Sequence, residues 1–308
     1  MSITVVGSIA FDTVRTPFGE RKRMLGGAAT HFALAASFFD EVRPVGPVGD
    51  DFGEAELAVL STRGTIVDDV ERVAGGKTFF WEGEYGWDLN SRETIDTQLN
   101  VFEHFQPKLS AAARACDVLF LANIQPDLQL DVLDACDGPR FTAVDSMNLW
   151  IDIARDSLVK VIERVDAVTL NDAELRQLTG KPNLITAARE ILSWGPSAVV
   201  AKQGEYGAAL VTGEGFFALP AYPLETVVDP TGAGDSFAGG FVGWLARNSA
   251  GTPSDSELRQ AMAYGTAIAS YNVEEFGTER VARLTIDEVH ERVSEIQRLT
   301  HFTVEALQ

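Results

Sequence analysis

The segment Gly232-Ala233-Gly234-Asp235 is the most chemically loaded part of this chain. An extended run, Glu225-Thr226-Val227-Val228, stops just before Pro230, and an apolar helical run, Phe237 to Leu245, begins just after the segment. A strand, a glycine-rich turn and a helix start therefore follow one another without a gap. The first turn of a helix leaves backbone N–H groups unpartnered and carries partial positive charge. With Thr231 as N-cap and almost no side chain at 232–234, an anion such as phosphate can approach those amides closely. Asp235 then sets a carboxylate beside an anion site, which is poor electrostatics for simple binding. It makes sense if the carboxylate takes a proton from a hydroxyl attacking phosphorus. The plainer alternative is an ordinary glycine-rich turn with an exposed aspartate.

Other candidate residues sit just after predicted strands, the edge at which open α/β sheets bind ligands. Asp12 follows the strand Ile3 to Val6, and a solvated turn is its alternative reading. Gly26-Gly27 precedes a helix carrying His31, either a substrate contact or a structural histidine. Asn171 and Glu174 have the N-x-x-E spacing that puts both on one face of a first helical turn, where they equally form a capping box. Lys202 and Gly204 follow the strand Ala198 to Ala201.

The positioning elements follow a βα rhythm. Strands are predicted at 3–6, 42–48, 118–122, 141–145, 167–170 and 198–201, with helices at 54–60, 128–136, 150–164, 257–272 and 287–299. Two short strands, 208–211 and 216–219, precede the central stretch. This alternation predicts a parallel sheet covered on both faces. Two segments break the rhythm, 13–25 and 76–90, and the second alternates with period two through Phe79, Trp81 and Tyr85. Trp81, Tyr85 and Trp87 either cover a ring, pack against another subunit or fill the core of that excursion.

Composition narrows the field. With 308 residues, 45% hydrophobic, the chain can bury a large core as one α/β domain spanning 1–308. A net charge of −20 and a pI near 4.5 disfavour nucleic acid and anionic membranes as partners. Lysine supplies six of the 25 basic residues, a bias that a saline or hot habitat or a GC-rich genome would each produce. Cys116 and Cys136 are the only cysteines and lack C-x-x-C spacing, which fits a reducing cytoplasm. The start reads as a strand rather than a signal peptide, and no apolar run approaches the ~20 residues of a membrane span. No G-x-x-x-x-G-K-[ST], H-E-x-x-H or G-x-S-x-G motif occurs.

The run Val228 to Gly240 closely resembles the C-terminal signature of the PfkB/ribokinase family of carbohydrate and nucleoside kinases. The other motifs occur in that family's order over roughly Val5 to Asn272. The resemblance implies a three-layer α/β sandwich, ribokinase-like, with a mostly parallel central sheet and a small β-sheet lid formed by the two excursions. It implies ATP and Mg²⁺, with a monovalent cation in some relatives.

Carried over residue by residue, Asp235 is the general base and the amides of Gly232, Ala233 and Gly234 form the anion hole. Asn171 and Glu174 position Mg²⁺ through water. Lys202, Gly204, Asp229 and Asn272 meet the nucleotide, and Asp12, Gly26, Gly27 and His31 hold the acceptor. Val45 to Gly53 resembles the family's G-x-V-G-x-D-x-x-G element. Two positions depart from the common sugar-binding pattern, since Ala10 and His31 stand where relatives usually carry asparagine. Ribose or fructose specificity therefore does not follow. The resemblance implies phosphorylation of a sugar-like alcohol, and the alternatives are a nucleoside kinase and a sensor that keeps the fold without turnover. A homodimer through the lid is a further expectation.

Overall fold

A computed structural model describes residues 1–303; residues 304–308, the end of the expected 1–308 domain, lie outside the described residues. Among the described residues, thirteen strands form two sheets. The larger contains β1 (Ser2–Val6), β4 (Glu41–Val48), β5 (Val70–Arg72), β8 (Val118–Leu121), β9 (Phe141–Val144), β10 (Ala167–Asn171), β11 (Ala198–Lys202), β12 (Ala208–Thr212) and β13 (Phe216–Leu219). Its order is β13-β12-β11-β10-β9-β8-β1-β4-β5, parallel except at β12 and β13. The smaller sheet contains β2 (Ala10–Thr16), β3 (Gly19–Gly26), β6 (Phe79–Tyr85) and β7 (Arg92–Gln98), in the order β3-β2-β6-β7.

The three layers follow from the strand sequences. All four residues of β8, Val-Leu-Phe-Leu, are buried, as expected for a parallel strand covered on both faces. Alternate residues point to opposite faces. Val118 and Phe120 join one core with Phe32 and Phe241, and Leu119 and Leu121 join another with Val144 and Val168. Phe32, on the helix Ala28–Ala36, stacks on Phe120 with ring centroids 4.2 Å apart. The helix Ala233–Asn248 packs against Ala28–Ala36 and against Asp255–Asn272, so the glycine turn at its start is anchored to the central core. No helix among the described residues is long and apolar enough to cross a membrane.

Several boundaries differ from the sequence reading, and the first lid strand already starts at Ala10 rather than 13. The lid runs to Gln98, because its last strand, Arg-Glu-Thr-Ile-Asp-Thr-Gln, is an exposed edge strand that shows no apolar alternation. The helix expected at 150–164 is two helices, Asn148–Ile153 and Arg155–Ile162, broken at Ala154 (φ −139°, ψ 31°).

Candidate active site

The strand ends of the large sheet, the start of the helix Ala233–Asn248 and the inner face of the lid meet in one cleft. The helix begins one residue later than expected. Its cap position is Gly232, at φ 74°, a left-handed conformation that glycine adopts at little cost. Thr231 does not cap it. Its N–H donates to Asp229 Oδ1 (2.9 Å), and its hydroxyl lies 3.2 Å from the Tyr85 hydroxyl of the lid. The amide of Ala233 donates to Pro230 O (3.2 Å), whereas those of Gly232 and Gly234 have no such partner among the described residues. Asp235, in the first turn, is only partly buried. Burial raises its carboxyl above the ordinary aspartate value, and Lys202 and Arg92 oppose that shift.

The network beneath this turn is fully packed. Asn272 Oδ1 accepts from Ser236 Oγ at 3.0 Å and lies 3.1 Å from His31 Nδ1, while its Nδ2 donates to Thr231 O at 2.7 Å. That last bond fixes the amide orientation, so His31 carries its proton on Nδ1. Burial lowers the imidazole pKa, and Nε2 has no hydrogen-bond partner among the described residues. The Asp229 oxygens accept from the amides of Thr231 and Gly277. His31, Asp229 and Asn272, expected on the sequence to meet ligands, therefore lie under the floor of the cleft, each 2% exposed or less.

Asp12 lines the cleft wall from β2. Its carboxylate stands against Gly26, close to the Gly27 backbone, and faces Asp229 and Asp235. Burial first, then Asp229, push its carboxyl up to about 7. Gly27 has φ 95°, and a Cβ there would come within 2.4 Å of Ser8 O. Only glycine lets this loop pass so close to the connection between β1 and β2.

The sheet edge supplies the remaining groups. The parallel register sets Asn171 beside Lys202 at the ends of β10 and β11. Asn171 and Glu174 form a complete capping box: Asn171 Oδ1 accepts from the Glu174 amide and Glu174 Oε2 from the Asn171 amide. Burial, followed by Asp145, raises the Glu174 carboxyl to about 7. Lys202 Nζ donates to Asp145 Oδ2 at 2.5 Å and lies 3.1 Å from where a Cβ on Gly234 would stand. Gly204 approaches Asn90 of the lid, and the neighbouring Glu205 accepts from Asn90 Nδ2 at 3.0 Å.

Two participants were not singled out on the sequence. Asp145 directly follows β9 at the ligand-binding edge, a position that could have flagged it. Arg92 opens a strand with no apolar signal, and only the hairpin pairing brings it to the cleft.

The donor set suits Mg²⁺, which prefers oxygen ligands and keeps several waters. Glu174, Asn171 and Asp145 are oxygen donors, and Glu174 spends only one oxygen on its cap. Among the described residues no group of three or more His, Cys, Asp or Glu side chains is arranged to hold an ion, so the arrangement fits contact through water rather than an all-protein cage.

Comparison with known proteins identifies the family and the fold. The pattern for "pfkB family carbohydrate kinase" matches residues 2–283. A cytidine kinase from Thermococcus kodakarensis is 32% identical over 269 residues, covering 84% of this chain and 92% of that protein. A ribokinase from Lactococcus lactis is 28% identical, covering 80% and 84%. The crystal structure of a Methanocaldococcus jannaschii nucleoside kinase superposes with a TM-score of 0.78 at 20% identity, covering 96% of this chain and 98% of that one. With its mostly parallel sheet, its lid and a family match over nearly its whole length, the chain belongs to the pfkB family of carbohydrate kinases, phosphotransferases with an alcohol group as acceptor.

Proposed function

We propose that this enzyme transfers the γ-phosphoryl group of ATP to a hydroxyl of a sugar or of a sugar carried by a nucleoside, with Asp235 as general base. One observation supports the reading: Asp235 directly follows a turn whose Gly232 and Gly234 amides have no backbone partner among the described residues, and Lys202 Nζ lies 3.1 Å from where a Cβ on Gly234 would stand. In this reading Asp12, Gly26 and Gly27 hold the acceptor hydroxyls. Asp235 removes the proton of the attacking hydroxyl. The amides of Gly232 and Gly234 receive the phosphoryl oxygens, with Ala233 sharing its own with Pro230. Lys202 leaves Asp145 to meet phosphate, and Gly204 lets the nucleotide pass close to the backbone. Mg²⁺, when bound, neutralises phosphate charge, and Asn171 and Glu174 would hold it through water. His31, Asn272 and Asp229 act from below by fixing the turn, a role their burial supports. General-base action contributes about 10²–10⁴ in rate, and positioning and electrostatics supply most of the rest.

A nucleoside acceptor is the second reading. The T. kodakarensis relative is a cytidine kinase and covers most of both chains. The lid also offers aromatic surface, with Trp81 partly buried and Trp87 90% exposed. A homodimer through the lid is part of the proposal, since the edge strand β7 and its exit expose Ile95 and Leu99.

An ADP-release screen over pentoses, hexoses, polyols, cytidine and adenosine tests the assignment and separates the two acceptor classes. In Asp235→Asn, ATP affinity should survive while turnover drops by at least about 10². Near-normal turnover in that variant would remove Asp235 from the role, and silence across the whole screen would favour a sensor.

A further inference from the structure

The cleft is short of positive charge. Asp12, Asp145, Glu174 and Asp235 converge on it, and on the sheet side Lys202 is already paired with Asp145. A polyphosphate entering here needs another cation, and the lid carries one.

β6 and β7 form a hairpin whose register sets Arg92 directly opposite Tyr85. Opposite residues of an antiparallel pair share one sheet face. The Tyr85 hydroxyl touches Thr231 Oγ1, at the entrance to the glycine turn, so Arg92 leaves the sheet on the side that faces that turn. Its guanidinium carbon stands 5.3 Å from the ring centre of Trp81, which lies on the same face. The hairpin's connecting turn is tied down as well, through Asn90 to Glu205 beside Gly204. The hairpin is thus held over the phosphate-side loop at its tip and over the glycine turn through Tyr85. Arg92 itself stays exposed, whereas Arg15 of the same sheet is held by Glu20 and Glu84. Its charge nonetheless reaches Asp12 and Asp235 across the cleft.

We propose that Arg92 is a catalytic residue carried by the lid, whose guanidinium grips the phosphoryl group in transit from the side opposite the amides of Gly232 and Gly234. This rests on the phosphotransfer reading above. In the step, the bond from the acceptor oxygen to phosphorus forms as the bridging bond between the β- and γ-phosphates breaks. The hydroxyl proton goes to Asp235, and ADP departs with the electron pair of the broken bond. A planar guanidinium can hold two phosphoryl oxygens at once, which an ammonium cannot. Because the arginine rides on the hairpin, the transferring group is gripped only while the hairpin lies across the cleft, which couples chemistry to exclusion of water.

The test compares wild type, Arg92→Ala and Arg92→Lys by calorimetry with Mg-ATP and Mg-ADP, by thermal melting, and by turnover with an acceptor found in the screen. Arg92→Ala should weaken ATP binding about tenfold or more, leave ADP within about twofold and lower kcat by about 10²–10³. Arg92→Lys should recover ATP affinity better than kcat. An unchanged melting temperature is expected, since the side chain is exposed. If Arg92→Ala leaves ATP affinity and kcat near wild type, or weakens ATP and ADP equally, the assignment is overturned while the kinase reading stands. A wild-type protein that binds no ATP would overturn both.

Discussion

The imidazole of His31 lies directly beneath the α-carbon of Gly232: a side chain at 232 would begin 2.4 Å from the ring atoms Cγ, Nδ1 and Cε1. These residues are far apart in the chain, and their contact sets the height of the glycine turn above the helix Ala28–Ala36. The ring is itself fixed by Asn272, which also binds Ser236 and Thr231, so one buried amide joins both sides of the turn.

Gly232→Ala should therefore damage both fold and turnover. The left-handed backbone alone costs a non-glycine residue about 1–3 kcal/mol, and the ring below blocks the new carbon. A lower melting temperature together with loss of ADP release is the expected result. A variant with wild-type stability and turnover would mean that the turn rides free of His31.

Asp12 predicts an unusual pH dependence of stability in the ligand-free protein. Its ordinary carboxyl value is 3.8, and burial with Asp229 raises it to about 7 in the folded chain. Between those values the folded chain keeps a proton that the unfolded chain has lost. The contribution of this group to stability thus falls as pH rises through that window, and the full cost is present above it. Asp12→Asn removes the cost, so the variant should melt above wild type at pH 8, and the gap should narrow toward pH 5. Since 1 kcal/mol moves Tm by about 2–4 °C in chains of about 150–250 residues, the difference is measurable by calorimetry. An equal gap at both pH values would refute the assigned titration.

The pair of Lys202 and Asp145 should show the reverse sensitivity to truncation. Asp145 is 6% exposed in its side chain, and Lys202→Met leaves it buried without its partner. Removing one member of such a pair costs about 3–5 kcal/mol, near the lower end here because the lysine retains 16% exposure. Burial already raises the Asp145 carboxyl, and without Lys202 it rises further, so protonation relieves the cost at low pH. Chemical denaturation of Lys202→Met should show a larger loss at pH 8 than at pH 5. A loss independent of pH would point to packing of the lysine stem instead.

Much of this molecule is written locally. The apolar strands at 118–121 and 198–202, the glycine turn before the helix Ala233–Asn248 and the N-x-x-E pair are short-range patterns. They depend on alternation, left-handed backbone and helix-end amides, which neighbouring residues decide among themselves. The double reading of Asn171 and Glu174 shows the limit. The capping box is present in the structure, and the register then sets it beside Lys202, so a local cap also lies at the ligand edge.

Burial and long-range approach belong to the tertiary structure. Nothing local in the sequence indicates whether His31 meets a substrate or sits beneath Gly232, because that depends on how the helices Ala28–Ala36 and Ala233–Asn248 cross. Nor does it bring Arg92, on a strand without apolar alternation, to the glycine turn; only hairpin pairing and the contact between Tyr85 and Thr231 do so. By itself the sequence determined the chemical groups and the local backbone that can present them. The packing of distant segments decided which groups face the cleft, which support it from below and how far burial moves their charges, because desolvation and Coulomb interactions depend on distance in space rather than along the chain.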